Sequence, residues 1–259
     1  MRALIQFWYK TFVIAELEVR KLRHDPTELF TRALQPALWM LVFGEVFSKI
    51  RAIPTGAVEY LDFIAPGILA QSVLFVAIFY GIAIIWERDL GIIHRFLVSP
   101  APRAALVLGK ALSAGVRGLS QAVIIYALSF VLGVHINWNP AALGGIVLFV
   151  FLGSALFSTF SLIVACIVKT RERFMGIGQI LTMPLFFASN SIYPLEIMPA
   201  WLKVIARINP LTYVVDGLRG LMLVGGHSVY GVPFDVTALI LGTTFLVLIG
   251  AALYRQVVT

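Results

Sequence analysis

The sequence predicts an all-α membrane protein, and three observations carry that prediction. Sixty per cent of its 259 residues are hydrophobic and the mean hydropathy is +0.94. A soluble core needs less apolar side chain, and a soluble surface of this composition would aggregate. Six apolar runs each approach the roughly 20 helical residues that cross about 30 Å of hydrocarbon. They lie near 33–50, 63–86, 106–134, 141–168, 176–193 and 234–254. The positive charges also divide unevenly between the segments joining these runs. One transmembrane domain over residues 1–259 is expected, with a pre-membrane helix in 1–28.

That first helix reads MRALIQFWYKTFVIAELEVRKLR. Ile5, Trp8, Phe12, Ala15, Val19 and Leu22 recur at three- and four-residue steps, which draws one apolar stripe on a helix. Trp8 and Tyr9 suit the headgroup boundary, while Lys10, Arg20, Lys21 and Arg23 suit anionic lipid. An amphipathic helix lying on the inner leaflet is expected. The alternative is a soluble helix packed on another subunit. Pro26 ends it, because the residue before a proline avoids helical angles. Span one follows, with Glu45 and Lys49 four apart in the order that favours a helical ion pair.

Span two gives way abruptly to WERDLGIIHRFLVSPAPR, residues 86–103. Leu90, Ile93 and Leu97 share one helical face, and Glu87, Arg88 and His94 occupy others. Pro100 and Pro102 stop the helix. Glu87 and Asp89 are placed at its N-terminal end, where the dipole favours acids. Arg88 and Arg95, seven apart, share roughly one side. A solvated loop would not need that apolar face, so the segment calls for a protein partner as well as a membrane surface.

Span three carries Arg117 and two small-residue pairs, Ala111 with Gly115 and Ala114 with Gly118, which permit close helix approach. Arg117 either lines a watery vestibule or snorkels to the interface. Asn190 and Ser191, near the end of span five, could touch cargo or bond a neighbouring helix. Residues 193–231 then form two helices too short to span, broken at Asn209-Pro210. Trp201, Val204, Ile205 and Ile208 make an apolar face, and Lys203 and Arg207 point away from it. These helices are expected to dip back into the outer boundary and close it from above, with Asp216 and Arg219 pairing across one turn. Span six completes the chain.

With the N-terminus inside, 14 Lys and Arg fall on the cytoplasmic side and 5 on the outer side, with Arg117 within a span. Both termini are therefore expected in the cytoplasm. The excess positive charge, +7 overall with a pI near 9.8, is assigned to anionic lipid and not to nucleic acid. The single cysteine, Cys166, rules out a disulfide framework or a cysteine metal site. No cleavable signal sequence is read at the N-terminus.

The chemistry that is missing narrows the function. No GxxxxGK[ST] loop exists, since Gly109-Lys110 lacks the following Ser or Thr, so the chain is not its own ATPase. His24, His94, His135 and His227 are scattered and form no metal-ligand group. No GxSxG elbow appears. The spans as drawn carry no carboxylate at the bilayer midplane, with Glu45 near one end of span one, which argues against an ion-coupled carrier.

WERDLGIIHRFLVSPAPRAALVLGK resembles the first cytoplasmic loop of the type-2 ABC transporter permeases. FASNSIYPLEIMPAWLKVIARINPLTYVVDGLR resembles that family's signature around the fifth span, and the likeness leans toward the daunorubicin and multidrug-resistance branch. The resemblance implies a cytoplasmic coupling helix, made here by Glu87, Arg88, Asp89, Leu90, Ile93, His94, Arg95 and Leu97. It implies two copies of a separate ATPase subunit that carry ATP and Mg, and a second permease chain, as a homodimer. It also implies export of a hydrophobic or amphipathic small molecule through the inner membrane, with a lipid or lipid-linked polysaccharide as the alternative cargo. Arg117, Asn190, Trp201 and Tyr213 are the candidates for the transport pathway. No catalytic residue, metal or cofactor is expected on this chain.

Overall fold

The computed structural model describes residues 26–50, 53–55, 58–91, 103–168 and 170–253, together with Tyr9, Thr11, Val13, Glu16 and Arg20, which are helical. Most of the predicted interfacial helix therefore lies outside the described residues. The described chain contains no strand beyond one isolated antiparallel bridge, Ile136 with Leu223.

The elements are α1 (Pro26–Trp39), a π-turn (Met40–Gly44), α2 (Glu45–Ile50), α3 (Tyr60–Asp89), α4 (Arg103–Val131), α5 (Pro140–Ile167), α6 (Arg171–Phe187), a 3₁₀ turn (Leu195–Ile197), α7 (Ala200–Ile208), α8 (Pro210–Met222) and α9 (Val232–Leu253). Among the described residues, four helices are long and apolar enough to cross a membrane: α3, α4, α5 and α9. They fall where the second, third, fourth and sixth runs were read.

The other two predicted runs take different shapes. The first is divided among α1, the π-turn and α2. Pro36 removes one backbone donor inside α1, and the ladder widens at Met40–Gly44. Trp39, Phe43 and Phe47 stack along it, at centroid spacings of 4.4 and 5.8 Å, and Lys49 meets Glu45 at 3.3 Å as expected. The fifth run starts and ends earlier than 176–193. Thr170 caps α6 by accepting from the Arg173 amide, and at the far end Ser189 donates to the Phe186 carbonyl and folds the chain over.

α3 and α5 form the centre. α3 packs on α4, α5, α6 and α8, and α5 also carries α4, α8 and α9. The small residues of α4 act as predicted. A Cβ on Gly115 would stand 2.2 Å from Phe151, and one on Gly118 would stand 2.4 Å from the Ser154 hydroxyl. Contact this close needs glycine.

α3 is 30 residues long, about 45 Å at 1.5 Å per residue. That exceeds the hydrocarbon by several turns, and its last turn is where the charged residues begin.

Candidate functional site

The C-terminal end of α3 is built from that last turn. Glu87, Arg88 and Asp89 close α3, which corrects the expectation that they open a new helix. Leu90 N–H bonds back to the Trp86 carbonyl and Gly91 N–H to the Arg88 carbonyl, and Gly91 takes φ +70 to end the helix. Two acids at a helix C-terminus oppose the dipole, so each needs a cation. Lys110 Nζ of α4 reaches Glu87 Oε2 at 2.6 Å, with side chains only 4% and 7% exposed. Arg171 of α6 reaches Asp89 Oδ2 at 2.8 Å, with its guanidinium 3.5 Å from the Trp86 ring. Arg88 lies 3.4 Å from Asp89 Oδ1.

α3, α4 and α6 are thus tied together where the charged segment leaves. Glu87 is consumed by this tie, whereas Asp89 and Leu90 stay at the surface. Ile93, His94, Arg95 and Leu97 lie outside the described residues. Arg117 is turned toward α3, 4.8 Å from the Tyr80 ring, which Lys110 also approaches at 5.8 Å.

The opposite end of the bundle is organised differently. Trp201, Val204, Ile205 and Ile208 of α7 are exposed together, the apolar face that the spacing predicts. Lys203 donates to the Glu196 carbonyl. Asn209 makes the break between α7 and α8. Its Oδ1 accepts from Leu211 N–H, and its Nδ2 donates to the Leu185 and Ala188 carbonyls at the end of α6. Tyr213 donates to the Arg207 carbonyl and faces Tyr230 and Phe234.

Asp216 and Arg219 form no ion pair, which corrects the expected exposed bridge. Arg219 lies 3.8 Å from the Phe63 ring and donates to the Asn190 carbonyl at 2.7 Å. Asp216 is fully buried and accepts from Tyr230 N–H at 2.9 Å. Side chains one helical turn apart found partners on other elements, because burial makes an unmatched charge costlier than a stretched reach. Asn190 is itself buried, and its main chain is what makes the contact.

A second contact at this end joins α3 to the α4–α5 loop. Asp62 accepts from His135 N–H at 3.1 Å, and its other oxygen lies 2.9 Å from His135 Nδ1. Hydrogen bonding and charge from Asp62 raise the His135 pKa above its usual value, with Glu59 adding to the effect. Asn137 N–H then bonds the Met222 carbonyl and Val224 N–H the His135 carbonyl, which fastens the end of α8 to this loop.

A groove of about 350 Å³ opens between α1, α3 and α6, with Gln35, Phe75, Phe79 and Gln179 among its lining residues. Among the described residues no three metal-ligating side chains gather.

Residues 9–223 match the family described as ABC-2 type transporter. The chain belongs to that family. It is 30% identical over 217 residues to a putative transport permease, ycf38, of Cyanophora paradoxa, covering 82% of this chain and 74% of the relative. It is 26% identical over 200 residues to the daunorubicin resistance ABC transporter permease protein DrrB1 of Streptomyces coeruleorubidus, covering 77% and 70%. It is 29% identical over 164 residues to a probable multidrug ABC transporter permease, YbhR, of Escherichia coli, covering 61% and 43%. This chain is an ABC transporter permease, and its resistance-associated relatives support efflux.

Sequence reasoning missed several residues of this permease. Lys110, alone in the apolar stretch LVLGKALSA, announced a buried carboxylate partner. Asp235, in the first turn of the last span, is an acid at membrane depth and therefore a candidate for function. Gln35 and Gln179 carried a similar signal. Asp62 and His135 carried none, being 73 residues apart.

Proposed function

We propose that this chain is the inner-membrane subunit of an exporter for a hydrophobic or amphipathic small molecule, powered by two copies of a separate ATPase that carry ATP and Mg. Gln35 and Gln179 carry this reading. Both are exposed near the middle of α1 and α6, where a lipid-facing amide would be costly. They share a groove with Phe75 and Phe79. Amides beside aromatic rings in about 350 Å³ suit a drug-sized amphipathic molecule and are small for a glycan chain. A second copy of the chain, set against the exposed apolar faces of α1 and α6, would enclose that groove and make the homodimer. Gln35 and Gln179 therefore replace Asn190 as candidate cargo contacts.

In this reading six segments cross the membrane, with α1 to α2 and α6 completing the set. Both termini are cytoplasmic, residues 1–28 lie on the inner leaflet, and α7 and α8 form the outer re-entrant pair. The motor seats on the segment from Asp89 to Leu97, whose base is fixed by the Asp89–Arg171 and Glu87–Lys110 bonds. Ile93→Asp is expected to insert normally yet fail to retain the ATPase on co-purification. Arg88→Glu is expected to lower stimulated ATPase activity before assembly suffers. Normal assembly and coupling in both variants would reduce the segment to a loop. Single cysteines at positions 203 and 256, in a chain lacking Cys166, test the orientation, and labelling of 256 from outside intact cells would reverse it.

A further inference from the structure

Two acids at the outer junction have no part in that reading. Asp216 on α8 and Asp235 in the first turn of α9 are both completely buried. Ser228 stands between them, its Oγ 2.8 Å from Asp216 Oδ2 and 2.8 Å from Asp235 Oδ2. Gly231 N–H donates to the same hydroxyl oxygen at 2.7 Å. A serine hydroxyl has one proton and two lone pairs. Gly231 occupies one lone pair, and the hydroxyl proton serves one carboxylate. The remaining contact requires a proton from the other acid. Asp216 Oδ2 already accepts from Tyr230 N–H at 2.9 Å, which marks it as the acceptor and Asp235 as the donor.

The second oxygen of each acid is buried, and no donor among the described residues reaches it. Two ionised carboxylates bridged by one hydroxyl in a low dielectric would repel strongly. The loop is shaped to make this contact. A Cβ on Gly226 would lie 2.3 Å from the Arg219 carbonyl, and Gly231 takes φ +92.

Among the described residues no cation forms an ion pair with either acid. Arg219, on the same helix as Asp216, feels its charge but is directed at Phe63 and Asn190. From α7, Arg207 faces Tyr213 and Tyr230, and Glu196 of the 3₁₀ turn also acts on Arg219. His227 in the loop is exposed. α5, which packs on both α8 and α9, has no acidic, basic or histidine residue. On α3 and α4, Asp62 is engaged by His135 and Arg117 by Tyr80.

We propose that Asp235, Ser228 and Asp216 form a proton-binding site, in which one shared proton holds the outer helix α8 against the last span. Loss of the proton to the outer medium leaves two anions in contact and loosens α8 from α9. The closure formed by α7 and α8 then responds to external pH.

The test uses the full-length permease in lipid nanodiscs without a motor, so it stands apart from the ATPase experiment. Infrared difference spectra between neutral and alkaline buffer are expected to show one protonated-carboxyl stretch that disappears on titration. Asp235→Asn should lack this band. Its amide can still donate to Ser228, so its unfolding temperature should stay near the low-pH wild-type value and keep only the pH dependence that the His135–Asp62 contact supplies. Asp235→Ala removes the donor as well and should unfold earlier at every pH. A band that survives in both Asp235→Asn and Asp216→Asn would overturn the proposal. So would a pH dependence as large in Asp235→Asn as in the wild type, both compared in an Asp62→Asn background, or an Asp235→Ala variant as stable as Asp235→Asn. A band abolished by sodium or potassium at constant pH would assign the acids to a cation and overturn it equally.

Discussion

The two ends of this helical bundle satisfy their acids in opposite ways. At the Glu87 end, which the proposed orientation places inside, Glu87 meets Lys110 and Asp89 meets Arg171, so each carboxylate has a cation. At the opposite end, outer in that reading, Asp62 meets an imidazole and a backbone amide, while Asp216 meets a hydroxyl and a backbone amide. Pairs of fixed charge do not hang on a proton exchanged near neutrality, whereas contacts through histidine or a shared proton do. In the proposed reading the inner end is a rigid base for the segment that would meet the motor, and the outer end is a closure whose strength depends on the medium.

The largest test removes one member of the inner pair. Lys110→Ala takes the cation at 2.6 Å from the buried Glu87, and a loss of up to about 3–5 kcal/mol is expected, read by unfolding of the permease in nanodiscs. Combining Lys110→Met with Glu87→Leu should recover most of it, because the charge is then gone from both sides. A stable Lys110→Ala variant would show that the inner end does not depend on pairing.

The seat of α8 comes next. A Cβ on Gly217 would fall 2.0 Å from the Phe149 ring, so Gly217→Ala should cost about 1–3 kcal/mol by overpacking. Phe149→Leu in the same chain should restore part of the loss. Recovery shows that α8 is held by fit, and no recovery points to a backbone requirement at Gly217.

Asp216 and Trp201 then sharpen the outer half of the comparison. A surface pair across one helical turn contributes only about 0.3–0.5 kcal/mol, less than a buried aromatic anchor. Asp216 is buried and hydrogen-bonded, whereas Trp201 is 66% exposed. Asp216→Ala should cost about 1–3 kcal/mol, since Ser228 and Tyr230 lose their acceptor. Trp201→Ala should stay within about 0.5 kcal/mol in detergent and show its effect only in bilayers. The reverse ranking in detergent would return Asp216 to the surface.

The smallest effect belongs to His135, whose side chain is 70% exposed. Its pKa is raised in the folded protein by Asp62, so the stabilisation is complete below the unfolded value near 6.5. It fades as pH rises through the higher folded value. Asp62→Asn should bring the His135 titration, followed by NMR, back toward about 6.5. An unchanged titration would remove this contact from the outer closure.

The comparison also explains what could be read in advance. The four long apolar helices, the close approach at Gly115 and Gly118, the Glu45–Lys49 pair and the apolar face of α7 all depend on neighbours three to seven positions apart. Helical geometry makes such spacings predictive. The same local logic failed for Asp216 and Arg219, where spacing suggested a pair and burial sent each elsewhere. It failed again for Glu87 and Asp89. A break placed before them made a helix C-terminus look like an N-terminus, and the true end depends on Gly91 adopting positive φ.

α3 and α9 mark the boundary between the two kinds of knowledge. Their apolar windows are equally hydropathic, at 2.4 and 2.3, yet 78% of one is buried within the protein and 22% of the other. Composition alone fixed that both belong in a membrane, because transfer from water depends on the side chains themselves. Composition could not say which is covered by the rest of the chain and which is left uncovered, since protein interior and lipid are both apolar surroundings. The tertiary structure decided that, and with it the partners of Glu87, Asp62, Asp216 and Asp235. A buried charge is satisfied by whatever the packing brings within about 3 Å of it, and for these four acids the partners are 7 to 73 residues away in sequence.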